Sequence, residues 1–228
     1  MQFNTAQREL TLKIVYYGPA LSGKTSNLQS LYALLSPDTR GELTALDTRG
    51  DRTLFFDLLP LNYTTQSGIK IKIKLFTVPG QVMHEATRRI VLTGADAVIF
   101  VADSQRSATP DNNKSFKNLL QNLTANGLDV ERIPIVIQFN KRDLPDVTTD
   151  EELGQLAARG REPIYRAVAL RGEGVVETLY GVMHLLWQSL EAHDFGKKLG
   201  ISQREFMSGI WQALGPPAAG AGLPEVAS

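Results

Sequence analysis

Gly18-Pro19-Ala20-Leu21-Ser22-Gly23-Lys24-Thr25 is the stretch that decides the fold. Before it, residues 10–17 form an apolar run rich in β-branched and aromatic side chains; after it, residues 24–35 place apolar side chains at helical spacing. The pattern G-x-x-x-x-G-K-[ST] between a strand and a helix makes a phosphate cradle, because loop and helix-terminal N–H groups converge on one anion and the helix dipole favours it. Gly23 lets the backbone approach closely, Lys24 suits the β- and γ-phosphates of a nucleotide, and the Thr25 hydroxyl suits Mg²⁺. Ser26 completes the cradle in the first helical turn.

Outward from this loop, extended apolar runs at 10–17, 53–61, 69–78, 97–102, 133–139 and 164–169 alternate with helix-period segments at 24–35, 81–92, 112–126, 150–158 and 175–192. Such alternation predicts crossover helices on a parallel sheet. Between 53–61 and 69–78 there is only a short stretch ending in Gly68, so these two form an antiparallel hairpin. The expected fold is α/β, a six-stranded, mostly parallel sheet with one antiparallel strand and helices on both faces. Residues 36–51 are polar, carry Pro37, Gly41 and Gly50, and read as a long functional loop.

The chain of 228 residues suits one such domain, at 1–192, with an appendage at 193–228. Residues 193–200 read as a linker. Ser202 and Glu205 form a capping box for a helix whose Phe206, Met207, Ile210, Trp211 and Leu214 share a face, and the Pro-, Ala- and Gly-rich residues 215–228 read as disordered. Lys and Arg number 24, as do Asp and Glu, so nothing in the net charge draws the chain to nucleic acid or an anionic membrane. The absence of cysteine removes disulfides, thiol catalysis and lipid attachment at a thiol, and fits a reducing cytoplasm. Residues 1–10 lack the pattern of a signal peptide.

The run at 133–139 leads into Asn140-Lys141-Arg142-Asp143, the pattern N-K-x-D. A carboxylate at Asp143 accepts from both the N1–H and the exocyclic amine of guanine, whereas adenine offers neither donor there. Discrimination of roughly 10⁴-fold or more follows from such an asymmetry. Asn140 orients loop and base, the Lys141 stem covers the ring face, and Ala169, with Leu170 beside it, offers a backbone N–H to guanine O6. The expected ligands are GTP or GDP with Mg²⁺.

Thr77-Val78-Pro79-Gly80-Gln81 lies where Ras-like GTPases carry D-x-x-G-Q, with Thr in place of the Asp that supports Mg²⁺ through water. With residues 13–25 (KIVYYGPALSGKT), 52–60 (RTLFFDLLP), 101–104 (VADS) and 135–144 (IVIQFNKRDL), the chain closely resembles the MglA family of bacterial polarity GTPases over about residues 3–190. The resemblance implies a Ras-like P-loop GTPase fold. It also implies that Thr53 ligates Mg²⁺ together with Thr25, that Gly80 meets the γ-phosphate, and that Arg52, an intrinsic arginine finger, and Gln81, which positions water, are catalytic. Its further implications are a cytoplasmic timer of polarity or gliding motility recruited to a cell pole, stimulated by a Roadblock-domain protein of the MglB type, and a strand at 53–61 that changes register on GTP binding. Relatives commonly carry Gly at the position of Ala20, where an extra methyl implies slow unassisted turnover.

From the residues alone other readings stay open. Arg52 also reads as a solvated loop cation, and Thr77 as an ordinary strand residue with Asp57 a candidate for the outer shell of magnesium. His84 suits a partner contact or a plain surface. Lys70, Lys72 and Lys74 alternate with apolar residues, as solvated lysines that discourage edge pairing do. The C-terminal helix docks on its own domain or in a partner's groove; a direct membrane anchor is not expected. The expected function is a slow GTP hydrolase acting as a switch through effectors, and the alternative is a hydrolysis-poor, nucleotide-bound scaffold that recruits partners through the extension.

Overall fold

The computed structural model describes residues 1–47, 55–80 and 84–214. Burial along β2 (Glu9–Tyr17) changes halfway: it alternates up to Lys13 and is continuous from Ile14 onward. Helices therefore cover both faces of its upper half and one face of its lower half. Parallel neighbours β5 (Lys70–Thr77) and β6 (Ala97–Asp103) flank β2. Beyond β6 lie β7 (Ile135–Asn140) and β8 (Ile164–Arg166), also parallel, and beyond β5 lies β4 (Phe55–Thr64), antiparallel.

These are the six expected strands. Two short ones are added, β1 (Gln2–Asn4) antiparallel to the start of β2 and β3 (Thr44–Asp47) antiparallel to β4, giving the order β3-β4-β5-β2-β6-β7-β8. The stretch 36–51, read from sequence as a loop, thus carries the sheet's outer edge. Gly41 N–H also donates to Pro60 O and Asn62 N–H to Thr39 O, so the same stretch follows β4 downward. β5 lies between β4 and β2, so it is an interior strand, and its lysines do not guard an edge as expected.

The helices are α1 (Lys24–Leu34), α2 (Glu85–Leu92), α3 (Thr109–Ala125), α4 (Asp150–Arg159) and α5 (Val175–Glu191). One core joins α1 and α5 to Leu12, Ile14, Leu59, Ile73 and Leu75; the other joins α2 and α3 to Val15, Val98 and Phe100. Thr149 and Glu152 close a reciprocal capping box at the start of α4.

The expected linker is instead a short helix, α6 (Phe195–Leu199), bounded by the left-handed Asp194 and Gly200. Gly196 lies so close to Trp187 that a Cβ would come within 2.9 Å of its ring. α7 (Gln203–Leu214) follows and buries Phe206, Met207 and Ile210 against the domain. Ser202 Oγ accepts from the Glu205 N–H at 3.2 Å, but the Glu205 carboxylate turns to the Ser67 N–H in the β4–β5 turn, so half the predicted capping box is replaced by a tertiary bond. Tyr63 OH donates to Phe206 O at 2.6 Å, and Phe206 packs on Trp187 with ring centroids 5.2 Å apart. The expectation for 215–228 lies outside the described residues.

Candidate functional site

At the upper end of β2 the chain turns through Gly18, φ +149°, and Leu21, φ +61°, into Gly23, φ +100°, which caps α1. A Cβ on Gly18 would lie 2.2 Å from the Val101 carbonyl oxygen and one on Gly23 2.1 Å from Asn140 Nδ2, so both positions need glycine for conformation and for space. Lys24 is buried and donates to the carbonyls of Gly18 at 3.0 Å and Pro19 at 2.6 Å. Burial, with the Arg88 charge nearby and Asp57 opposing it, lowers its pKa to about 8. Gly80 presses on the loop: a Cβ there would lie 2.4 Å from Ala20 N.

Thr25 Oγ1 donates to Asp57 Oδ2 at 2.7 Å, and Thr77 Oγ1 donates to the same oxygen at 2.9 Å. Thr77 Oγ1 in turn accepts the Asp57 N–H at 2.9 Å. Asp57 on β4 thus brings its carboxylate to the side of the cradle where residue 77 has none. Hard oxygen donors of this kind suit Mg²⁺, which takes few protein carboxylates, and no cluster of three or more potential His, Asp or Glu ligands occurs among the described residues. Lys24, Thr25, Ser26, Asp57, Gly80 and His84 line a cleft of about 610 Å³. Arg52, Thr53 and Gln81 lie outside the described residues.

Asn140 joins the two ends of the site. Its Nδ2 donates to Ser22 O at 2.8 Å, and its Oδ1 accepts the Ala169 N–H at 2.8 Å. The N–H expected to reach a base is therefore held by Asn140, and it fixes the turn that leaves Leu170 84% exposed beside the base end. Lys141, at φ +65°, pairs with Asp103 at 2.6 Å, and Asp143 faces Arg171 at 3.6 Å.

Sequence reasoning missed the buried triplet behind the cradle. Asn27 and Gln138 exchange hydrogen bonds at 2.8 and 2.9 Å, Gln138 also donates to Thr178 at 2.9 Å, and Asn27 donates to Gly23 O at 2.9 Å. The triplet locks α1 to β7 and α5; its signal was a lone Gln in the apolar run 133–139. Also unanticipated was Tyr17, which donates to Asn118 at 2.6 Å, while Asn118 bonds Glu85 at the start of α2.

A phosphate cradle and an N-K-x-D loop tied together by one asparagine, on this sheet order, define a small GTPase of the Ras-like class. The mutual gliding-motility protein MglA of Myxococcus xanthus is 47% identical over 188 residues, 82% of this chain and 96% of that protein. The chain belongs to the MglA family. GTPase Der of Halorhodospira halophila is 31% identical over 107 residues, 47% of this chain and 20% of that longer protein. The uncharacterized protein MJ1339 of Methanocaldococcus jannaschii is 26% identical over 141 residues, 61% of this chain and 76% of that one. No family model matches. Among the described residues no helix is long and apolar enough to cross a membrane.

Proposed function

We propose that the chain is a nucleotide-dependent switch that binds GTP and GDP with Mg²⁺ and hydrolyses GTP slowly on its own. One observation carries the reading: Asn140 bonds both the cradle, at Ser22, and the turn at Ala169, which aligns a polyphosphate end with a guanine end. The Lys24 ammonium has three hydrogens; two hold Gly18 O and Pro19 O, and the third is left for a phosphate oxygen. Thr25 gives its hydroxyl proton to Asp57 and keeps lone pairs for the metal. Thr53 is the second direct ligand by family resemblance. Mg²⁺, when bound, neutralises charge on the β- and γ-phosphate oxygens.

In hydrolysis Gln81 orients the water that attacks the γ-phosphorus, and Arg52 balances the charge of the transition state. The bond from phosphorus to the β–γ bridging oxygen breaks, GDP leaves with the electron pair, and the proton lost by the attacking water ends on the released phosphate or in solvent. Asp143 selects guanine, with Lys141 and Leu170 against the ring. A Roadblock-domain, MglB-like protein accelerates the step, and effectors in polarity or gliding motility read residues 36–52 and 80–92; the motility role rests on the name of the Myxococcus relative. The working place is the cytoplasm and a cell pole.

A hydrolysis-poor scaffold that recruits partners through its C-terminal extension is the second reading, favoured by Ala20 in the cradle and by Thr77 where a carboxylate is expected. Phosphate release with and without an MglB-like protein separates the two. The overall proposal is tested by mass identification of the nucleotide that co-purifies with the full chain and its affinity with and without magnesium. GDP or GTP, bound more tightly with magnesium, is the expected result; ATP, or no nucleotide and no affinity, contradicts it.

A further inference from the structure

The helices leave open one face of the lower β4–β5–β2 sheet. β5 presents Lys70, Lys72, Lys74 and Phe76 there, and β2 presents Glu9, Thr11 and Lys13, with Lys13 in register with Lys74. β4 adds Leu58, Pro60, Asn62 and Thr64 opposite the β5 residues. Lys70, Asn62 and Thr64 are exposed, and Lys13, Lys72, Lys74, Leu58 and Phe76 are partly so.

Because β5 lies inside the sheet, protection of a strand edge does not account for these lysines. Like charges side by side on adjacent strands cost stability. Among the described residues no carboxylate forms an ion pair with Lys70, Lys72 or Lys74. Glu9 and Asp38 lie at the lower rim, lining a cleft with Lys70 and Lys72. Asp96 accepts the Lys13 N–H at 2.8 Å and pairs with the Met1 amino group, and its charge also acts on the Lys13 ammonium. The Lys13 ammonium donates to Thr93 O at 2.9 Å and lies 4.7 Å from the Phe76 ring centroid.

Above the lysines the face turns apolar. Phe76 packs on Phe56 at 5.7 Å between centroids, and Phe56 lines the phosphate-end cleft. We propose that this face docks an acidic segment of a partner protein, with carboxylates along Lys13, Lys74 and Lys72 and an apolar side chain against Phe76 and Leu58. The chain's charges balance overall, so recognition comes from the local patch and not from a field that would draw the whole molecule to a bilayer. Phe76 is flanked by Lys13 on a flat sheet face and offers nothing that protrudes into lipid.

The test is fluorescence anisotropy of a labelled oligoglutamate peptide carrying one phenylalanine, titrated with the full chain. Binding is expected at low salt, weakened about tenfold or more by K72E/K74E and lost near about 0.5 M salt. K197E, on an exposed lysine of α6, is expected to leave it unchanged. GDP binding reports that K72E/K74E is folded; should that variant not fold, K72Q/K74Q is expected to weaken binding in the same direction. No peptide binding, equal loss in K197E, or binding to phosphatidylglycerol vesicles in place of the peptide overturns the proposal.

Discussion

The Asp57 carboxylate accepts the Thr25 hydroxyl proton at 2.7 Å and is held from below by Thr77 at 2.9 Å. A strand neighbour thereby supplies the negative charge that residue 77 itself lacks. Asp57→Asn keeps the shape and removes the charge. It is expected to lower magnesium-dependent GDP affinity by about tenfold to a hundredfold while leaving affinity in EDTA unchanged. Thr77→Val, which loosens Asp57 without discharging it, has a smaller effect in the same titration calorimetry.

If Lys24 holds the phosphates as proposed, nucleotide binding is expected to be sensitive to pH. Its pKa is lowered to about 8 chiefly by burial, and phosphate oxygens raise it again on binding. Above about pH 8 the free protein must take up a proton to bind, so GDP affinity falls as pH rises and is level below that point. For folding without nucleotide the sign is opposite. Between about 8 and the ordinary lysine value of 10.5 the unfolded chain holds more protons, so this group's contribution to stability grows with pH. Affinity and melting temperature measured across that window check both directions.

Ala20 stands beside Gly80, where the hydrolysis chemistry is proposed. Ala20→Gly is expected to speed single-turnover hydrolysis without tightening GDP. Arg52→Ala and Gln81→Leu are expected to keep GDP affinity while losing about a thousandfold or more of stimulated hydrolysis, because both act on the transition state. Equal loss of GDP binding in both would mark them as structural.

Phe206 is fully buried between α7 and the domain. Phe206→Ala is expected to cost about 3–5 kcal/mol, roughly ten degrees in melting temperature for a chain of this size. Removing residues 193–228 lowers it as well, since Tyr63, Ser67 and Trp187 lose their partners together. Calorimetric melting reads both.

Much of this is legible in the amino-acid sequence. Gly18–Thr25 and Asn140–Asp143 are short motifs whose chemistry is local, and the long apolar runs named every strand that forms the sheet's centre. What escaped depends on distant partners. β3 is four residues with no strong pattern and exists because β4 offers it hydrogen bonds. α6 is held by the ring of Trp187 at Gly196, and Glu205 leaves its predicted cap for Ser67. The alternation at residues 69–75 gave the lysines' exposure correctly and their place in the sheet wrongly, because strand order is a tertiary fact. Asp57 was visible only as a candidate, since its partners Thr25 and Thr77 lie on other elements.

In the proposed function Lys24 and Asp143 grip one guanine nucleotide from opposite ends. Competition of GTP and ATP for the full chain loaded with fluorescent GDP, in magnesium, tests this most directly. The account predicts a preference for GTP of roughly 10⁴-fold or more, largely lost in Asp143→Ala. Equal displacement by ATP, or an unchanged preference in that variant, would contradict it.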